Sequence, residues 1–311
     1  MMERWPRLDY QSERPVYETV HAYCQVIGKL PVRSARWLNH SWHVALRVTP
    51  TGFRTHSLPS GGQEFELLFD CLEGEVSLLS SDGATGRFAV AGKTVAGFQQ
   101  ALDAILGHCG IDADISGAPN EVAEAVPFAR DERERPWNAD AVRRLHGAFR
   151  SADRVFRAFR TGFLGKSSPS HLFWGSFDLA VTRFSGRRAP PHPGGFPNLD
   201  DRVTREAYSH ELISAGFWPG GGDVGEAAFY AYAYPTPDGL AGGAIRPEPG
   251  RWSAELGEFI LPYAAVREAV DPDDALLSFL QSSYAAAADL AGWDRAALDT
   301  PLGKVGKPRK V

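Results

Sequence analysis

The sequence predicts an α+β protein of two related α-β-β-β-β-α halves with antiparallel sheets, an arrangement that implies internal duplication. Three observations predict it. A helix, four strand patterns and a helix occur in that order twice. Ile27-Gly28-Lys29 and Leu164-Gly165-Lys166 end the opening helices, and each is followed by His, Trp and a strand closing in Val-Thr (His40, Trp42, Val48-Thr49; His171, Trp174, Val181-Thr182). A charged, proline-ended stretch separates the two copies.

The first half, residues 1–115, opens with a helical pattern from Pro15 to Lys29. Pro15 suits a first helical turn, and Gly28 stands where a helix tends to stop. Strand patterns follow at Ser41–Thr49, Phe65–Cys71, Val76–Leu79 and Arg87–Val90, with glycine turn signals between them. Thr94 caps a second helix that sets Val95, Phe98, Leu102 and Ile105 on one face. Residues 116–138 read as a surface linker, because the run Asp131 to Arg135 ends at Pro136.

The second half, residues 139–311, opens with a helix over Ala139–Phe163. Its apolar stripe runs through Val142, Leu145, Phe149, Ala152, Phe156, Phe159 and Phe163. Strands are expected at His171–Phe184, Ala207–Ser214, Ala228–Tyr234 and Glu258–Leu261. The closing helix is announced by Asp271 as cap, Pro272 at its first position and two aspartates against its dipole.

Composition excludes several classes. A hydrophobic fraction of 43% with 23% charged residues is globular chemistry, not disorder. The net charge of −5 argues against nucleic acid, which needs a basic surface to displace counterions. Residues 1–136 carry 13 basic against 18 acidic side chains, leaving 20 against 20 for the rest, so neither half is basic. With no run of 18 apolar residues, no membrane partner is expected. The first residues lack an apolar signal core, and the odd count of three cysteines fits reduced thiols, so a cytoplasmic location is expected.

Three segments carry a resemblance: His171-Leu-Phe-Trp-Gly-Ser-Phe-Asp178, Thr182 to Gly194 and Glu206-Ala-Tyr-Ser-His-Glu211. They resemble a bacterial group known as domain-of-unknown-function family 5996, over nearly the whole chain from Trp5 to Trp293. The resemblance implies a bacterial cytoplasmic protein and carries no reaction and no catalytic residue with it.

Candidate chemistry centres on the loop Phe184 to Gly195. Its prolines stiffen and its glycines turn the chain, so Arg187 and Arg188 are held ready for a carboxylate or phosphate. The bland alternative ties both arginines to nearby carboxylates. His171, His192 and His210, with Asp178, are the candidates for proton transfer. The same histidines with Glu211 would supply a divalent transition metal's ligands. Trp174 and Trp218 are candidates for substrate contact, and Gly216 to Gly222 reads as a lid or a pinned loop. His40 and His43 precede a strand, where their spacing sends them to opposite faces, and form a weak metal pair. Two functions follow: an enzyme acting on a small anionic molecule at a His/Arg-lined cleft between the halves, metal-dependent or not, or a non-catalytic binder using the same cleft.

Overall fold

The computed structural model describes residues 3–221 and 224–309. Helix α1 (Tyr10–Ser34) leads through a 3-10 turn at residues 39–41 into β1 (Arg47–Val48), β2 (Gly52–Arg54), β3 (Leu58–Ser60), β4 (Gln63–Asp70), β5 (Glu75–Ser80) and β6 (Thr85–Ala89), then α2 (Val95–His108). The second half runs α3 (Ala139–Arg160), β7 (His171–Phe173), β8 (Asp178–Arg188), α4 (Asp201–Ala207), β9 (His210–Trp218), β10 (Ala228–Tyr234), β11 (Arg251–Ser253), β12 (Glu258–Pro262), α5 (Tyr263–Arg267), α6 (Pro272–Leu290) and α7 (Arg295–Leu298). Two six-stranded antiparallel sheets result, as the α+β expectation requires.

Strand period decides which face is covered. On β4, Phe65, Leu67 and Phe69 are buried, and on β8 Leu179 and Val181 are too. They join Phe217, Phe229 and Phe259 of the second sheet and the apolar sides of α1, α2, α3 and α6 in one core across both halves. Helices thus pack one face, and the other is left for polar chemistry. The halves also meet edge to edge: Leu46 and Leu172 exchange backbone hydrogen bonds of 2.9 and 2.8 Å.

The first sheet is ordered β1-β2-β4-β5-β6 with β3 on β4, whereas the second is β11-β12-β10-β9-β8-β7. In the first, β2 and β3 both pair with β4, whereas in the second β12 lies between β10 and β11. The strand orders therefore part at the far edge, and the topology does not establish a duplication.

Several expected boundaries move for physical reasons. Helix α1 begins before Pro15 and continues past Gly28 to Ser34. Gly28 is a packing glycine: a Cβ there would sit inside the Trp174 indole. Only Arg47–Val48 of the Ser41–Thr49 stretch is strand, since His40 and Ser41 adopt left-handed φ of 60° and 58°. His171–Phe184 is a hairpin whose turn, Trp174 to Phe177, takes its left-handed φ of 60° at Phe177 rather than at Gly175. Phe173 therefore pairs with Asp178, opposite the face holding Leu179 and Val181. Residues 201–207 are helical, so Ala207–Ser214 contributes only β9. The charge run stays exposed at Glu132 to Glu134, but its first residue, Asp131, is buried and takes Arg133 and Arg135 at 2.6 Å each.

Candidate active site on the outer face of the second sheet

Register assembles a polar ladder on the face away from the helices. Thr182, Ser214 and Tyr232 are paired across β8, β9 and β10, and Glu258 of β12 continues the row. One step along, Ala180 pairs with Gly216 and Gly216 with Tyr230. Gly216 has no side chain to lift the neighbouring ring; a Cβ there would strike the Tyr230 phenol. Tyr230 therefore lies across the strand, and its hydroxyl donates to Asp178 Oδ2. Ser176 donates to the other Asp178 oxygen. Tyr208, just after α4, shares a 2.7 Å hydrogen bond with the Tyr232 hydroxyl.

A third carboxyl arrives from the segment between the halves. Glu121 holds a left-handed φ of 60°, its N–H donates to the Pro197 carbonyl at 2.8 Å, and its carboxylate lies against Gly175. Two non-glycine residues in this costly conformation, Glu121 and Phe177, thus flank Asp178, as strain often does at functional sites. Burial and the neighbouring Asp178 charge push Glu121 and Glu258 up to about 7. Burial also raises Asp178, against the lowering effect of its two hydroxyl partners. No lysine or arginine is among the charges acting on these carboxyls, so they share protons among acids and phenols.

At the other end of the same face, the seam between the halves holds a basic pair. Lys166 Nζ donates to His40 Nε2 at 2.7 Å and lies 5.2 Å from the Trp42 and Phe184 ring centres. His40 Nδ1–H donates to the Ala207 carbonyl at 2.7 Å, which fixes the tautomer and leaves Nε2 as acceptor. The Glu206 carboxylate takes the His40 backbone N–H at 2.8 Å. Because a 3-10 turn carries His40, the strand parity expected for His40 and His43 does not apply.

The residues singled out in the sequence are dispersed. Asp178 is central to the acid cluster. His171 pairs in register with Ala180 and His210 with Arg188, eight residues apart along β8. Both His171 ring nitrogens are buried without a partner, and burial lowers its pKa to about 3. His192 lies instead against Tyr208 and Tyr234, its Nδ1 accepting the Gly194 N–H at 3.0 Å. His210 faces His40 at 6.1 Å between ring centres. The expected metal set of His171, His192, His210 and Glu211 is therefore not assembled, and among the described residues no three His, Cys, Asp or Glu side chains are placed to hold one metal ion. Glu211 instead binds Arg187 Nε at 2.8 Å, and Arg187 also donates to the Ala291 carbonyl at 2.7 Å. Arg188 is exposed. Trp174 is a buried wedge between the halves, its indole N–H on the Val44 carbonyl at 2.9 Å. Trp218 ends β9, so Gly216 to Trp218 is strand with Phe217 in the core, while Gly222 lies outside the described residues.

Sequence reasoning missed Glu121, Glu258 and the three tyrosines. For Tyr230 and Tyr232 the alternation Tyr230-Ala-Tyr232-Ala-Tyr234 was the available signal, since period two puts these phenols on one face. Nothing local marked Glu121. A shallow groove of about 590 Å³ lies elsewhere, on the outer face of the first sheet, but its Arg54 and Glu66 are paired at 2.6 Å.

Fold and site together define an α+β protein with helices on one sheet face and an acid, phenol and lysine layer on the other. The chain belongs to the family described as Family of unknown function (DUF5996), whose model matches residues 5–300. No curated protein and no solved structure matches it.

Proposed function

We propose that the protein is an enzyme that transfers protons on a small polar molecule of neutral or positive charge, bound against the outer face of the second sheet. The observation that carries this reading is Asp178, held by Tyr230 and Ser176 and flanked by Glu121 and Glu258 with no cation among them. Carboxyls poised near neutrality can both give and take a proton at physiological pH, which ordinary carboxylates cannot. The phenols of Tyr208, Tyr230 and Tyr232 supply orienting hydrogen bonds. An anion bound by Arg187 would first have to displace Glu211. The second reading, a non-catalytic binder of an organic cation, draws on the same acid-and-aromatic lining.

The test is Asp178→Asn. Turnover found by screening small neutral and cationic compounds should fall at least about a hundredfold, the scale of general acid–base catalysis. The melting temperature at pH 8 should rise, because a folded state that binds extra protons between the ordinary value of 4.5 and about 7 loses stability as pH climbs through that window. Unchanged turnover in the variant would refute the assignment. Ligand binding with no turnover of any bound compound would favour the binder.

A further inference from the structure

We infer that Lys166 is a nucleophilic amine that forms an imine with a small aldehyde or ketone, with His40 as its proton carrier. The site is separate from the acid cluster: Phe184, on which Lys166 and His40 rest, stands six residues along β8 from Asp178, about 20 Å at strand rise.

Four features support it. Lys166 Nζ has an imidazole nitrogen as its hydrogen-bond partner, and no carboxylate lies within ion-pair distance among the described residues. Its stem rests beside Trp42 and Phe184 with Nζ open to solvent, and partial desolvation there lowers its pKa against the opposing charge of Glu206. The Ala207 carbonyl fixes His40 with Nε2 unprotonated and aimed at Nζ. The turn that presents His40 is strained at two successive residues, His40 and Ser41, and is held by Glu206 and α4.

The step balances within the pair. The neutral amine attacks the carbonyl carbon, forming the C–N bond as the C=O π pair moves to oxygen. His40 Nε2 then carries the two Nζ protons in turn to that oxygen, which leaves as water when the C–O bond breaks. The nitrogen lone pair closes the C=N bond, and His40 ends neutral, as it began. Nearby Glu206 stabilises the transient imidazolium.

Reductive trapping tests it. The full chain is incubated with acetaldehyde and cyanoborohydride at pH 7, and its six lysines are read by peptide mass spectrometry. Lys166 should be alkylated at least about tenfold faster than exposed Lys304 and Lys307, while Lys29, buried and bonded to an amide, should stay unmodified. His40→Gln should remove the Lys166 advantage. Labelling of Lys166 no faster than the two exposed lysines would overturn the proposal in the wild-type chain alone, whether or not the variant folds. Full Lys166 reactivity in a folded His40→Gln protein would also overturn it. Neither result depends on the acid cluster, so failure here leaves the Asp178 reading standing.

Discussion

Gly28-Lys29, inside α1, and Gly165-Lys166, after α3, share a local sequence and reach across the seam in the same way, yet they serve different ends. Lys29 lies 5.2 Å from the ring centre of Trp174 in the second half, and Lys166 lies 5.2 Å from that of Trp42 in the first. Their acceptors differ. Lys29 donates to the side-chain oxygen of Asn120, an acceptor that is not a base, while Lys166 donates to an imidazole that is one. Their access differs too, since Lys29 is 8% exposed and Lys166 stands exposed to solvent. A lysine over an indole is thus a buried structural pin at one site and an accessible reagent at the other, and the hydrogen-bond partner makes the difference.

The glycines offer the largest effect. Gly28→Ala drives a methyl into the middle of the Trp174 indole, which is itself anchored to Val44, and should cost about 3 kcal/mol, the upper range of overpacking. Gly165→Ala meets Leu298 and Phe163 side-chain atoms at 2.7 Å, with a leucine end that can rotate, and should cost about 1 kcal/mol. Urea denaturation of both variants measures the contrast. Equal losses would show that the two glycines are packed alike.

The buried charge comes next. Burial lowers Lys29 to about 8 from 10.5, so the unfolded chain binds more protons between those values and stability rises with pH across that window. Lys29→Met should abolish that rise, worth about 2–3 kcal/mol, and leave the protein no less stable at pH 7. A variant whose stability still climbs from pH 8 to 10 would place the charge elsewhere.

Asn120→Ala, which strips the acceptor from a buried ammonium, should cost about 1–2 kcal/mol and leave labelling of Lys166 unchanged. The smallest effect belongs to the indoles. Trp42→Phe keeps an aromatic face under Lys166 and should lose about 0.5–1 kcal/mol, read as a shift in melting temperature.

Much of the fold was legible because local chemistry set it. Thr94, Asp271 and Pro272 fixed the starts of α2 and α6, and the three-and-four spacing of Val142 to Phe159 fixed α3. Period-two alternation located β10 to the residue. Less of the site was legible. Asp178 was found because it stands on a strand with a clear apolar face, whereas Glu121 lies 55 residues before Ser176, its nearest chain neighbour in the cluster, and follows no period.

What the sequence determined by itself is whatever repeats along the chain: caps, helical stripes, strand alternation and the match between the two Gly-Lys pairs. What only tertiary structure decided is the meaning of single residues. Gly28 continues a helix because an indole needs its space, and Phe177 reverses a hairpin in a conformation its side chain disfavours. Lys166 faces an imidazole, and Lys29 an amide, because of where distant segments come to rest. Local propensities are worth tenths to about one kcal/mol per residue, and packing and desolvation at a buried contact exceed that, so the contact decides wherever the two disagree.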